Sequence, residues 1–413
     1  MRFAKDSASI VPLKDTVFAV ARRAKEDMAA NGDQVIDATI GSLISEDGKF
    51  VALNSVFRHY DEIDDVIKAS YASGMIGNPS YRKQVYSWIL GKADLALSHS
   101  VIATPGGTGA VSAAMMSFLD EGQTVIVPEI GWISYDLMAA QYNLKALHYE
   151  LFDGDRFDLA SFEKTIQEAQ KTQDRVVAVI NDPCHNPTGY TLSSEEWAEI
   201  IAILNRASEK GPVILINDIA YIDYSFHLSS VRDYLTLFNG FSDGVMAVIA
   251  FSTSKTLTSY GLRCGAAILL ARNETDVRDA ETVMEKTARA GWSNIANAAM
   301  ENFVWVTTEG KEAYLEEKQK YIDLLKQRSD LFLKEARECH LPIYPYREGF
   351  FITIREKDNA MVEKIHNELM NRHIYTVTVN KGIRVAICSL PIRKIQGLAA
   401  KIREVMDFCR KGE

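Results

Sequence analysis

Among protein side chains, lysine supplies the primary amine that forms a Schiff base, and one lysine of this chain stands where such an amine would be used. Lys255 closes Ser252-Thr253-Ser254-Lys255 directly after the apolar run 245–251, with Arg263 and Gly265 following at a fixed distance. If that run is a buried strand, Lys255 emerges at its carboxyl end, the edge where open α/β sheets bind ligands. Taken alone, a lysine after a strand is an ordinary solvated side chain. Its neighbours in the sequence change that reading. Pro105-Gly106-Gly107-Thr108-Gly109-Ala110 joins an apolar run to a helical pattern, an arrangement in which free backbone N–H groups and a helix N-terminus hold an anion such as phosphate. Asn181-Asp182-Pro183-Cys184-His185-Asn186-Pro187-Thr188-Gly189 follows another run and is a turn by composition. Asp218, in Ile216-Asn217-Asp218-Ile219-Ala220-Tyr221, ends a third, where a carboxylate needs a partner or solvent, although a helix cap would use it equally well. The glycine loop also suits a second ligand. Gly107-x-Gly109, followed by Ser112 rather than a third glycine and by Glu129 about twenty residues on, nearly matches a dinucleotide-binding turn.

Six short apolar runs would position these residues: 101–104, 124–127, 175–180, 213–217, 245–251 and 266–270. They are continuous rather than alternating, and helical patterns separate them, which predicts an α/β domain with a mostly parallel central sheet flanked by helices. The C-terminal third changes character. A long charged helical pattern over 309–338 precedes Gly349-Phe350-Phe351-Ile352-Thr353-Ile354 and Ile383-Arg384-Val385-Ala386-Ile387, a smaller α+β domain. Residues 12–31, stopped by Gly32, read as an amphipathic helix packed on that same small domain. The expected division is 1–48 as the N-terminal part of the small domain, 49–310 as the large domain and 311–413 as the C-terminal small domain.

With 413 residues, 47% of them hydrophobic, the chain can bury a large core and suits two domains better than one. A net charge of -9 argues against nucleic-acid and anionic-membrane partners, since both need a basic face. Five cysteines without short paired spacing suggest neither a disulfide framework nor a zinc site, and fit a reducing cytoplasm. The N-terminal MRFAKDSASI lacks the apolar core of a signal peptide, and no apolar stretch approaches the ~18 residues of a membrane span. The expected location is cytoplasmic.

In chain order the motifs run Gly-Gly-Thr-Gly, Asn-Pro-Thr-Gly, Asp-x-Ala-Tyr, Ser-x-Ser-Lys and Arg-x-Gly. Together they resemble the fold-type I, pyridoxal-phosphate-dependent class I aminotransferases, from about Asp37 to the end of the sequence, and the joint pattern is far more specific than any one motif. Three stretches look closest to the aspartate and aromatic amino-acid aminotransferase branch. They are Ala38-Thr39-Ile40-Gly41 with Glu46-Asp47-Gly48-Lys49, Cys184-His185-Asn186-Pro187-Thr188-Gly189, and Arg289-Ala290-Gly291-Trp292-Ser293-Asn294.

The resemblance implies a role for each residue. Lys255 would hold pyridoxal 5'-phosphate as an internal aldimine and, once displaced by substrate, carry the proton between Cα and the cofactor in a 1,3-shift. Asp218 would pair with the pyridine nitrogen and keep the ring an electron sink, while Asn186 and Tyr221 would hydrogen-bond its 3' oxygen. Gly107, Thr108, Ser252, Ser254 and Arg263 would surround the phosphate, and Trp132 would stack on the ring. Tyr71 would reach the phosphate of a neighbouring subunit, although the spacing from Tyr71 to Gly77 is longer than the family's, and each site would then be built by two chains of a homodimer. Arg384 would clamp the substrate's α-carboxylate, and Arg289 would take the side-chain carboxylate of aspartate, glutamate or 2-oxoglutarate across the dimer interface. Gly41 and Phe351 would line the substrate mouth.

The implied reaction is amino-group transfer between an L-amino acid, aspartate or an aromatic one, and 2-oxoglutarate. A carbon–sulfur lyase or a decarboxylase would keep nearly all of the same ring-binding residues. Outside enzymes, the alternative is a non-catalytic domain sensing pyridoxal phosphate or an amino acid beneath a DNA-binding head, for which the roughly thirty-five residues before the resemblance are too few. A dinucleotide oxidoreductase would leave Lys255, Asn186 and Asp218 without roles.

Overall fold

The computed structural model describes residue 3 and residues 17–411. A seven-stranded sheet forms its centre, in the order Ser98–Thr104, Gly265–Ala271, Val245–Ser252, Val213–Asp218, Val176–Asn181, Thr124–Pro128, Lys145–Tyr149. Gly265–Ala271 runs antiparallel to both neighbours, and every other pair is parallel. The six apolar runs are six of these strands. Val176–Asn181, Val213–Asp218 and Gly265–Ala271 are buried along their whole length, which is why their sequences do not alternate. Lys145–Tyr149 was not expected: an edge strand with Lys145 and His148 exposed, it carries neither a continuous apolar run nor a clean alternation.

Helices cover both faces of the sheet. On one side Ala110, Val111, Ala114 and Met115 of helix Gly106–Phe118 meet Val277, Met284 and Ala288 of helix Glu274–Gly291. On the other, Phe162 and Ile166 pack with Trp197, Ile200 and Leu204 of helix Ser194–Ser208. Each large apolar side chain buried this way contributes about 1.5–3 kcal/mol. Helix Ser194–Ser208 starts where its sequence says it should. The Ser193 hydroxyl accepts the Glu196 N–H while the Glu196 carboxylate accepts the Ser193 N–H, a reciprocal cap.

The C-terminal third holds a three-stranded antiparallel sheet, ordered Phe351–Arg355, Gly382–Ala386, Val377–Val379, with helices Asn359–Asn371 and Leu398–Lys411. Helix Lys311–Glu338 leads into it. The N-terminal helix is described from Val17 to Asn31 and followed by Gly32 at φ +60°; positions 12–16 of the expected helix lie outside the described residues. Val20 and Ala24 pack with Val35 and Tyr375, and Ile36–Asp37 pairs in parallel with Ile374–Tyr375. Asp27 lies 2.8 Å from His373 Nδ1 and accepts the Tyr375 hydroxyl at 3.0 Å. These contacts tie the N-terminal segment to the C-terminal third rather than to the large sheet. No helix among the described residues is long and apolar enough to cross a membrane.

Candidate active site

The carboxyl ends of Ser98–Thr104, Thr124–Pro128, Val176–Asn181, Val213–Asp218 and Val245–Ser252 lie on one edge, together with the amino end of Gly265–Ala271. The loops leaving that edge enclose a cavity of about 200 Å3. Gly107, Thr108, Trp132, Asn186 and Asp218 line it, and so do Tyr221, Ser252, Ser254, Lys255 and Arg263.

The anion-binding part is built from the glycine loop and the chain after Lys255. Gly106 has φ +73°, and a Cβ there would lie 2.7 Å from Arg263 Nη2, so only glycine lets the guanidinium approach this backbone. Arg263 is itself left-handed at φ 50°, a conformation a non-glycine residue seldom adopts. Its Nη1 donates to Ser254 Oγ at 3.0 Å and to the Tyr260 carbonyl at 2.8 Å. Helix Gly106–Phe118 starts here with no acidic residue in its first turn and no side-chain cap, leaving its N–H groups and dipole open to an anion.

Asp218 is 5% exposed. Its carboxylate accepts the Tyr135 hydroxyl at 2.7 Å and the Ala220 N–H at 3.0 Å, and no cation reaches it among the described residues. Burial pushes its pKa up, with the Tyr135 hydrogen bond pulling the other way. Asn181 braces the same region, donating to the Asp218 carbonyl at 2.8 Å and accepting the Asn186 N–H at 2.7 Å.

Lys255 Nζ donates to the Gly41 carbonyl at 2.7 Å and lies 4.6 Å from the Tyr260 ring centre and 5.3 Å from that of Tyr221. Burial lowers its pKa to about 8, so a useful fraction is the neutral, nucleophilic amine near neutrality. Gly41 cannot carry a side chain, since a Cβ would sit 2.5 Å from the Phe351 ring.

Arg384, on strand Gly382–Ala386, lies behind the cavity lining and bonds to one of its residues, Asn186. Its Nη1 donates to Asn186 Oδ1 at 3.1 Å, its Nη2 to the Thr39 carbonyl at 2.7 Å, and its guanidinium lies 4.3 Å from the Phe351 ring centre. Its Nε is buried without a partner among the described residues, which costs about 1–3 kcal/mol for an unsatisfied donor. Gly41 and Phe351 therefore act by packing behind Lys255 and Arg384; they do not line the cavity themselves.

Tyr71 and Arg289 are not brought to the cavity of their own chain. Tyr71 is 87% exposed, and Arg289 sits near the exposed end of helix Glu274–Gly291 with its Nη1 on Ser293 Oγ at 2.6 Å. Sequence reasoning missed Tyr135 and Tyr260. Tyr135 lies three residues beyond Trp132 in the same stretch, and Tyr260 lies between Lys255 and Arg263, so position in a motif was the available signal.

Two other features compete for attention. Glu129, the carboxylate a dinucleotide ribose would need, pairs with Lys381 at 2.6 Å, which overturns that use of it. A second cavity of about 590 Å3 lies beside Arg58, His59 and Trp305, but its charges are already matched: Arg58 to Glu62, Lys320 to Glu316, and Glu317 to the N–H groups of Asn54 and Ser55.

Comparison with known proteins identifies the fold and the family. The family model described as "Aminotransferase class I and II" matches residues 61–402. Aspartate aminotransferase of Escherichia coli strain K12 is 26% identical over 264 residues, 63% of this chain and 65% of its own length, so the match spans just under two thirds of that protein. The crystal structure of an aminotransferase from Anaerococcus prevotii is 33% identical with a TM-score of 0.94, covering 98% of this chain and 99% of that one. An aromatic-amino-acid aminotransferase from Burkholderia pseudomallei, solved covalently bound to pyridoxal phosphate, shares the fold at 17% identity with a TM-score of 0.79, over 98% of this chain and 100% of that one.

Proposed function

The chain belongs to aminotransferase class I and II, a family of pyridoxal-phosphate-dependent transferases, and on that premise we propose that it transfers an amino group between an L-amino acid, aspartate or an aromatic one, and 2-oxoglutarate. The observation that carries the reading is the donor set of one cavity: a buried carboxylate without a cation, a half-buried lysine, and an arginine beside an uncapped helix start. A pyridine nitrogen, an aldehyde carbon and a phosphate answer those three groups, so the site fits pyridoxal phosphate on its own chemistry. When bound, the cofactor supplies an electron sink next to the substrate's Cα.

The protein's residues do the rest. Lys255 would tether the cofactor and, as a free amine, would be the base that takes the substrate's Cα proton. Asp218 would hold a proton on the ring nitrogen. Its burial strengthens that ion pair by keeping water out, while Tyr135 fixes the carboxylate's direction. Asn186 and Tyr221 would hydrogen-bond the ring oxygen, and Trp132 would stack on the ring. Gly107, Thr108, Ser252, Ser254 and Arg263 take the phosphate. Arg384, with its unsatisfied Nε, takes the substrate's α-carboxylate and thereby sets which Cα bond faces Lys255.

Arg289 is assigned to a second substrate carboxylate and Tyr71 to a phosphate, both in the site of a partner chain. Supporting this homodimer, Val66, Ile67, Tyr71 and Met75 leave one short segment unusually exposed for apolar residues. We place the domain boundaries near 48 and 310, because the segment before the first packs with the residues after the second.

Purified protein should absorb in the visible region and follow ping-pong kinetics. Lys255→Ala should abolish the band and lower kcat by on the order of 10^4-fold. A colourless protein indifferent to pyridoxal phosphate would sink the reading. Product analysis separates it from its neighbours: an oxo acid with a new amino acid means transfer, whereas ammonia or carbon dioxide means a lyase or a decarboxylase.

A further inference from the structure

Lys318 lies outside the cavity, in helix Lys311–Glu338, and is 1% exposed. Its Nζ donates to the Thr256 carbonyl at 2.5 Å, and the Tyr314 hydroxyl donates to the same oxygen at 2.7 Å. Thr256 is the residue after Lys255, so two buried donors grip the backbone that carries the reactive amine. The Thr256 side chain is held too. Its Oγ1 donates to Asp223 at 2.7 Å, and Asp223 also accepts Arg232 at 2.5 Å and Trp88 Nε1 at 3.1 Å.

The setting of Lys318 is unusual for a cation. The Tyr224 ring centre is 4.2 Å from its Nζ and that of Tyr314 is 5.4 Å away, while its hydrogen-bond acceptor is a neutral carbonyl rather than a carboxylate. Burial pushes its pKa down to about 7, although Asp223 pulls it up. Methionine would fill similar space without desolvating a charge, so the lysine requires a reason beyond packing. The same helix carries Arg328, fully buried, which donates to the carbonyls of Ile44 and Cys388 and to Glu46. One rigid element thus touches the chain beside Lys255 and the segments that carry Gly41 and Arg384.

We propose that Lys318 is a positioning residue which, with Tyr314, clamps the Thr256 carbonyl and so sets the direction from which Lys255 enters the cavity. This rests on the reading of Lys255 as the cofactor-bearing lysine. The clamp acts on a peptide rather than on substrate, so it governs the orientation of the tethered ring and the reach of the free amine, while substrate binding is left to Arg384.

The test compares cofactor-loaded wild type, Lys318→Met, Tyr314→Phe and the double variant. Measured for each are bound cofactor per chain, the visible circular-dichroism amplitude per bound cofactor, kcat and KM. Both single variants should still bind cofactor, with the dichroism amplitude reduced by about twofold or more and kcat by about tenfold or more, while KM changes less than about threefold. The double variant should lose at least as much as Lys318→Met, and the two single losses should not simply multiply, because both donors serve one oxygen. Unchanged dichroism and kcat in the variants, beside a normal wild-type band, overturn the clamp alone; absence of the band from wild type overturns the assignment of Lys255 and the clamp with it. Should Lys318→Met fail to fold, Tyr314→Phe, which removes one oxygen, decides by the same criteria.

Discussion

Set side by side, the cofactor half and the substrate half of this site differ in where their residues come from. Gly107, Asn186, Asp218, Lys255 and Arg263 sit at or just beyond the ends of strands in one sheet, and neighbouring strands bring them together. The substrate half is gathered from afar: Lys255 meets the Gly41 carbonyl across 214 positions, and Arg384 meets the Thr39 carbonyl across 345. Arg289 and Tyr71 reach neither half within their own chain. A site built this way has a preformed floor on a rigid sheet and a wall whose placement depends on how distant segments of the chain meet.

Breaking the floor should cost most. Asp218→Ala removes the buried carboxylate, and kcat should fall by on the order of 10^2–10^4-fold with an altered visible spectrum, as charge stabilisation in a dry site commands effects of that size. Wild-type turnover in Asp218→Ala would remove the ring-nitrogen role. The wall should cost less. Arg384→Lys keeps the charge but loses the fork, so kcat/KM should drop about 10–100-fold for every amino acid tested, the equivalent of about 1.5–3 kcal/mol. Arg289→Leu sharpens the contrast further, because its effect should be selective: about tenfold or more for aspartate and glutamate, little for tyrosine and phenylalanine. Equal losses across that panel would return Arg289 to the surface.

The smallest expected effect lies beneath the floor and touches stability rather than rate. Burial pushes the Asp182 carboxyl from 3.8 to about 7, even though Leu192 N–H and Trp197 Nε1 donate to it. A folded pKa above the unfolded one means that the stabilisation is full below 3.8 and is lost as pH rises towards about 7. Melting of the cofactor-free chain should therefore decline over that interval, and more shallowly in Asp182→Asn. Identical slopes would mean that Asp182 does not carry this dependence.

Much of the fold was legible because buried strands write themselves as continuous apolar runs, and Val213–Asp218 or Val245–Ser252 could hardly be read otherwise. Lys145–Tyr149 and Val377–Val379 were not legible, since a half-exposed edge strand and a three-residue strand take their conformation from the partner rather than from local preference. In the site the same rule holds. The ligand loops could be found because each motif is contiguous, whereas Tyr135 bonding to Asp218 and Lys318 bonding to Thr256 join residues with no common pattern.

The sequence by itself determined the chemistry available: an amine, a carboxylate, a glycine-rich anion loop and two arginines, in an order that few proteins would share by accident. Tertiary structure decided what those groups became. Folding stripped water from Asp218 and Lys255, moving their proton affinities in opposite senses in charge but towards the same neutral form. It also buried Arg384 with one nitrogen unsatisfied among the described residues, which no linear pattern encodes. Burial and orientation are properties of the whole packed chain, so no local stretch of residues could have specified them.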